Sequence, residues 1–149
     1  MSACIFEHPE LAFQEKTAQN ELCSLLERYG FSVKRGAGSL DTAFVAEYNS
    51  GKPGMTFAFM CEYDALPEIG HACGHHMQGP SVIGAALALR DTCKDQPYKI
   101  VIYGTPAEET IGGKIIMQEK GCFKDIDIAL MMHAAPSTCV DAWHWSASM

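Results

Sequence analysis

The residues of this chain most able to do chemistry are crowded into GHACGHHMQG, from Gly70 to Gly79. Three of the chain's six histidines, His71, His75 and His76, stand there beside Cys73. A thiolate and an imidazole two residues apart, on a loop fenced by glycines, can turn toward one cation, and such sulfur and nitrogen donors suit zinc and related metals. A plainer reading of the same residues is a buried cysteine beside histidines bonded to backbone. The second signal is PAEET, Pro106–Thr110, where Glu108 and Glu109 are adjacent. Consecutive side chains diverge in extended backbone, so one carboxylate could hold a metal while the other faces a water as general base. Two further polar residues stand out. Asp64, in EYDALP, is either a turn acid or a group that orients a ligand. His133, between DIALMM and AAP, is either a rim residue or a ligand.

These signals are far apart in sequence, so regular elements must gather them. MTFAFMC (55–61), YKIVIYGT (98–105) and DIALMMH (127–133) are apolar with little alternation, which predicts strands buried on both faces. FSV (31–33) reads as the start of an extended piece and TAFVAEY (42–48) as a further strand, followed by the turn NSGKPG. A helix is expected over 15–29, with Ala18, Leu22, Leu25, Leu26 and Tyr29 on one face. An alanine-rich buried helix is expected over 81–92, just after the histidine cluster, and a short one over 114–120, ended by Gly121. Apolar strands alternating with helices predict an α/β fold, a mainly parallel sheet flanked by helices, in one unbroken domain. The carboxyl ends of parallel strands share one edge, and open sheets of this kind place ligand sites there. Asp64, the Glu108–Glu109 pair and His133 each follow a strand, so the signals converge on one rim.

The bulk properties exclude some classes. The formal net charge is −7 with no basic stripe, which argues against nucleic acid and anionic membrane as partners. Seven cysteines without a CxxC pair predict reduced thiols in a cytoplasmic protein rather than a disulfide framework. The segment MSACIFEHPE lacks the basic-then-apolar pattern of a signal peptide. No apolar run reaches the roughly 18 residues of a membrane span. His8 reads as a cap or turn residue, the remaining cysteines as small core residues, and Tyr63 and His144 carry no assigned role.

In their order along the chain, HPELAFQE, GF-V, EYDALPEIGHACGHH, TPAEE and MMHAAP resemble the M20 metallopeptidase family. The likeness points to its amidohydrolase and aminoacylase branch, in the group of the peptidase M20 domain-containing protein 2 and the aminobenzoyl-glutamate hydrolase subunits. The resemblance implies that Cys73, His75, Glu109 and His133 are metal ligands. It implies that Glu108 is the general base and that Asp64 orients a ligand. It implies two divalent ions, zinc or manganese, with Cys73 favouring zinc. It implies hydrolysis of amide bonds in N-acyl amino acids or small dipeptides, on an α/β catalytic domain that forms homodimers in full-length relatives.

The chain also departs from the family pattern. His76 stands where relatives carry Asn or Asp, and is expected either to face solvent or to compete with His75 for metal. Relatives continue into a lid and dimerisation domain, with a histidine for the oxyanion, and then return with a last metal-binding histidine. Residues 1–149 are therefore expected to be the first part of a catalytic domain, weakly active or inactive alone, with apolar edges left uncovered. Two other readings compete. One is a non-catalytic metal-binding or interaction fragment of the same fold. The other is a thiol enzyme with Cys73 as nucleophile and a histidine as base, which leaves Glu108, Glu109 and His133 unexplained.

Overall fold

A computed structural model of the chain describes residues 1–135; Pro136 of MMHAAP, Cys139 and His144 lie outside the described residues. Its elements are α1 (Ser2–Glu7), α2 (Lys16–Arg28), β1 (Ser32–Arg35), a 3-10 turn (Ala37–Ser39), β2 (Phe44–Asn49), β3 (Met55–Cys61), α3 (His75–Thr92), β4 (Tyr98–Gly104), α4 (Gly113–Glu119) and β5 (Ile128–Met131). The five strands form one sheet in the order β1-β2-β4-β3-β5.

β3 runs parallel to both β4 and β5. β2 is antiparallel to β4 and β1 antiparallel to β2, so the sheet is mixed rather than mainly parallel. The connections explain the difference. The chain between β1 and β2 is too short to cross the sheet and must double back, whereas α3 supplies the long crossover that a parallel β3–β4 pair needs.

Helices flank the sheet on both faces. Alternation along the central strand β4 sends Ile100 and Ile102 into the core shared with α1, α2 and α3, and Val101 and Tyr103 into a smaller core with Met117 of α4. α2 buries Ala18, Leu22 and Leu26 at the expected spacing, joined by Gln19 and Cys23. Tyr29, expected on that face, is instead exposed at the end of α2, with the Arg90 guanidinium 5.9 Å from its ring.

β5 corrects another expectation. Its sequence is as apolar as that of β3 and β4, yet Leu130 and Met131 are each 46% exposed. Among the described residues β5 pairs with β3 alone and stands at the edge of the sheet, so apolar composition here does not bring burial. The six described cysteines are all free thiols. No helix among the described residues is long and apolar enough to cross a membrane.

The rim of the sheet rests on one close contact. A Cβ at Gly104 would lie 2.1 Å from Cε1 of Phe44, a fully buried ring stacked on Tyr63, with centroids 6.0 Å apart. The Tyr63 hydroxyl in turn donates to the Thr42 carbonyl at 2.6 Å. Phe44 has no room to withdraw, so Gly104→Ala is expected to lower stability by about 1–3 kcal/mol, the usual cost of overpacking a core. Urea unfolding checks this, and an unchanged midpoint would mean that the ring has space after all.

Candidate metal centre

Because β3, β4 and β5 are parallel, the segments that leave their carboxyl ends meet at one rim. Asp64 follows β3, Glu108 and Glu109 follow β4, and His133 follows β5. The histidine cluster does not lie wholly before the helix, as the sequence suggested. Gly74 caps α3 at φ 85°, a left-handed conformation that suits glycine, and His75 and His76 form the first residues of the helix itself. A Cβ on Gly74 would also lie 2.6 Å from Cβ of Ala134, so the loop passes closely against the chain that carries His133.

His75 is the hub. Its Nδ1 is 3.1 Å from Oδ1 of Asp64 and 3.1 Å from the Asp64 carbonyl. With the ring proton on Nδ1 donated to Asp64, Nε2 is left as a lone-pair donor. Around Nε2 stand Oε2 of Glu62 at 3.3 Å, Oε2 of Glu108 at 3.9 Å and Oε1 of Glu109 at 3.9 Å. Among the described residues, Nε2 of His75 and Oε1 of Glu109 are both buried without a hydrogen-bond partner. Nearby, Sγ of Cys73 is 3.4 Å from Nε2 of His133, and the His133 ring meets the His75 ring edge-on at 5.4 Å. Two donor groups therefore share His75: Cys73, His75 and His133, and Glu62, His75 and Glu108, the donor atoms of each lying within 4.8 Å of one another.

The glutamate pair is arranged differently from the extended backbone assumed in the sequence reading. Ala107 takes a positive φ of 58° and Glu108–Thr110 form a turn, so the two carboxylates converge on one imidazole instead of diverging. The backbone N–H of Glu109 donates to Oδ2 of Asp64 at 2.9 Å, which ties the turn to the loop after β3.

Glu62 escaped the sequence reading. It is almost fully buried, ion-paired with Lys114, and accepts a hydrogen bond from Nε2 of Gln78 at 3.1 Å, while the Gln78 side-chain oxygen accepts from the Glu62 N–H. A signal was present: in EYD, two acids stand two apart just beyond a strand, a spacing that keeps side chains on one face while the chain stays extended. Lys114 offsets the cost of burying the Glu62 charge.

The electrostatics follow from crowding. Burial raises the Asp64 carboxyl, but the His75 hydrogen bond and the Glu109 N–H outweigh it and hold the group below its usual value. Burial lowers the His75 imidazole, but the bond to Asp64 and the charge of Glu62 leave it above its usual value. Burial, then the charge of Glu62, pushes Glu108 up. Burial and the neighbouring Glu109 push the Cys73 thiol up to about 12. Four carboxylates around one imidazole are a surplus of negative charge that a divalent cation fits.

The remaining candidates take other places. His71 is buried, and burial pushes its imidazole down. His76 packs its ring against Phe6 at 4.9 Å and His71 at 5.4 Å, and belongs to neither donor group. His8 ends α1, with Nδ1 2.8 Å from the Cys4 carbonyl.

Residues 58–143 match the model of peptidase family M20/M25/M40. The chain is 40% identical over 146 residues to an Xaa-Arg dipeptidase of Mus musculus, a match covering 89% of this chain and 34% of that protein. It is 36% identical over 148 residues to a p-aminobenzoyl-glutamate hydrolase component of Escherichia coli (strain K12), covering 87% of this chain and 30% of that protein. Among solved structures, the YXEP protein of Bacillus subtilis, a dinuclear metal-binding peptidase from the M20 family, superposes with a TM-score of 0.80 at 27% identity. That superposition covers 91% of this chain and 42% of the other. The chain spans about a third of the length of these curated relatives.

Proposed function

We propose, since this chain belongs to peptidase family M20/M25/M40, that its rim is the metal-holding part of an amide hydrolase acting on N-acyl amino acids or small dipeptides. One observation carries the reading: His75 Nε2 and Glu109 Oε1, both buried and without a hydrogen bond among the described residues, face each other at 3.9 Å amid further donors. Cys73, His75, Glu109 and His133 are the residues that would hold two divalent ions, zinc being favoured by the thiolate and manganese the alternative. Ions held there would supply Lewis acidity toward a water and an amide carbonyl.

The chain's own groups do the rest. Asp64 holds the His75 ring so that Nε2 is the donor. Glu108, with its side chain 39% exposed, can meet both solvent and substrate. It takes a proton from the attacking water and returns one to the leaving amine. Glu62 is engaged by Lys114, which keeps it in place beside Nε2 without leaving its charge unpaired.

The substrate class is supported by the relatives, one a dipeptidase and one a p-aminobenzoyl-glutamate hydrolase. Turnover by residues 1–149 alone is proposed to be weak, because Glu108 and His133 are open to water and catalysis of this kind profits from its exclusion. The free thiols support a cytoplasmic setting.

The test is metal content. Purified chain, dialysed against metal-free buffer, is expected to retain one to two equivalents of zinc or manganese by plasma mass spectrometry. Less than about a tenth of an equivalent would sink the reading, since a site with apparent binding free energies of ordinary zinc centres does not empty on dialysis. Brisk hydrolysis of an N-acyl amino acid by the chain alone would overturn the proposed weak turnover.

A further inference from the structure

The segment HPELAFQE has no part in the chemistry above, yet it touches both loops that carry it. The carbonyl of Glu10 accepts from the N–H of Ala65, the residue after Asp64, at 2.9 Å. The side chain of Glu10 caps α2, accepting from the N–H groups of Thr17 at 2.9 Å and Ala18 at 3.0 Å. That leaves Glu15 without a capping task. Glu15 occupies the N-cap position of α2, but its side chain makes no cap hydrogen bond. It is fully buried, and its Oε1 accepts from the N–H of Ala107 at 2.9 Å, across 92 positions of sequence.

Ala107 is the strained point of the PAEE turn. It is fully buried and carries a positive φ of 58°, a conformation that a residue with a Cβ keeps only when its surroundings enforce it. Its carbonyl is held by the Gly112 N–H at 2.9 Å, and its N–H is held by Glu15. The next two residues are Glu108 and Glu109. We infer that Glu15 is a positioning residue: by gripping the Ala107 N–H it fixes the turn that aims the Glu108 and Glu109 carboxylates at His75. The inference rests on the roles proposed above for those two glutamates. A grip from outside the turn supplies what no glycine at position 107 is there to allow.

The experiment compares the chain with Glu15→Ala and Glu15→Gln, using two readouts. The first is amide hydrogen exchange in metal-free protein. Glu15→Ala is expected to lose protection at Ala107 and Glu109 while Ile100 and Ile102 of β4 keep theirs, and Glu15→Gln, which retains an acceptor, is expected to stay protected. The second is cobalt binding, followed by its absorption bands. Glu15→Ala is expected to bind about 10–100-fold more weakly, as when a partner behind a ligand is lost, and Glu15→Gln to bind close to wild type. Where the alanine variant does not fold, Glu15→Asp, which withdraws the carboxylate by one methylene, is expected to show the same loss. Unchanged exchange at Ala107, or unchanged cobalt affinity in a folded Glu15→Ala, overturns the inference. If the unaltered chain binds no cobalt, the metal reading fails by itself, and exchange at Ala107 alone decides whether Glu15 positions the turn.

Discussion

His75→Ala is expected to weaken metal binding at both donor groups and to lower the metal retained after dialysis. Structural zinc sites are worth about 10–16 kcal/mol over four ligands, so one donor accounts for roughly 3 kcal/mol, or about 10²-fold in affinity. His75 belongs to both donor groups, so its loss weakens both at once. The deletion also strands charge. Asp64 and Glu62 are each about 1% exposed, and His75 stands beside both. Removing one partner from a buried pair costs about 3–5 kcal/mol, and Asp64 would lose the imidazole while keeping its bond from the Glu109 N–H. Loss of metal and loss of stability should therefore appear together. His76→Ala is the control one residue away: His76 packs on Phe6 and His71, outside both groups, and its variant is expected to keep metal. Plasma mass spectrometry and urea unfolding on the two variants check the contrast. Wild-type metal content in His75→Ala would remove His75 from the centre.

How much of this arrangement the sequence discloses depends on what each signal measures. Long apolar strands ending in acids or histidine fix a rim, because a parallel sheet gives its carboxyl ends one edge whatever the helices do. That reasoning places Asp64, Glu108, Glu109 and His133 near one another, and the structure brings Glu108 and Glu109 to 3.9 Å from the same imidazole. Apolarity, however, reports a need for burial, not its source. DIALMM reads like β3, yet among the described residues β5 has a strand on one side only and leaves Leu130 and Met131 exposed. The antiparallel half of the sheet was hidden for a related reason: strand direction is set by connection length, and the short link after β1 was not read as a return.

The turn at Ala107 had no sequence signature at all. A positive φ is usually announced by glycine, and here Ala107 carries it while Glu15 holds its N–H and Gly112 its carbonyl. Glu62 was overlooked because its partner Lys114 is 52 positions away, so only the folded chain makes its burial affordable.

The convergence of the glutamate pair makes their division of labour testable. Both carboxylates reach the same distance from His75 Nε2, yet Oε1 of Glu109 is buried and unpartnered while the Glu108 side chain is 39% exposed. A buried, unpartnered oxygen suits a ligand; an accessible carboxyl, pushed up by burial and by Glu62, suits a group that takes and returns a proton. Under conditions where the wild-type chain turns over an N-acyl amino acid at a measurable rate, Glu108→Gln is expected to lower kcat by about 10²–10⁴-fold, the usual contribution of a general base. Metal per chain should change little, because the amide is nearly isosteric and keeps an oxygen donor at the place Glu108 holds in the group with Glu62 and His75. Glu109→Gln should do the reverse at the outset, losing metal, with activity falling as a consequence and recovering in part when excess metal is supplied. Excess metal should do nothing for Glu108→Gln, since a saturated site still lacks its proton acceptor. Measuring kcat and bound metal together on the two variants separates the roles, and metal loss in Glu108→Gln with retained metal in Glu109→Gln would exchange the assignments, making the first acid of the pair the ligand and the second the base.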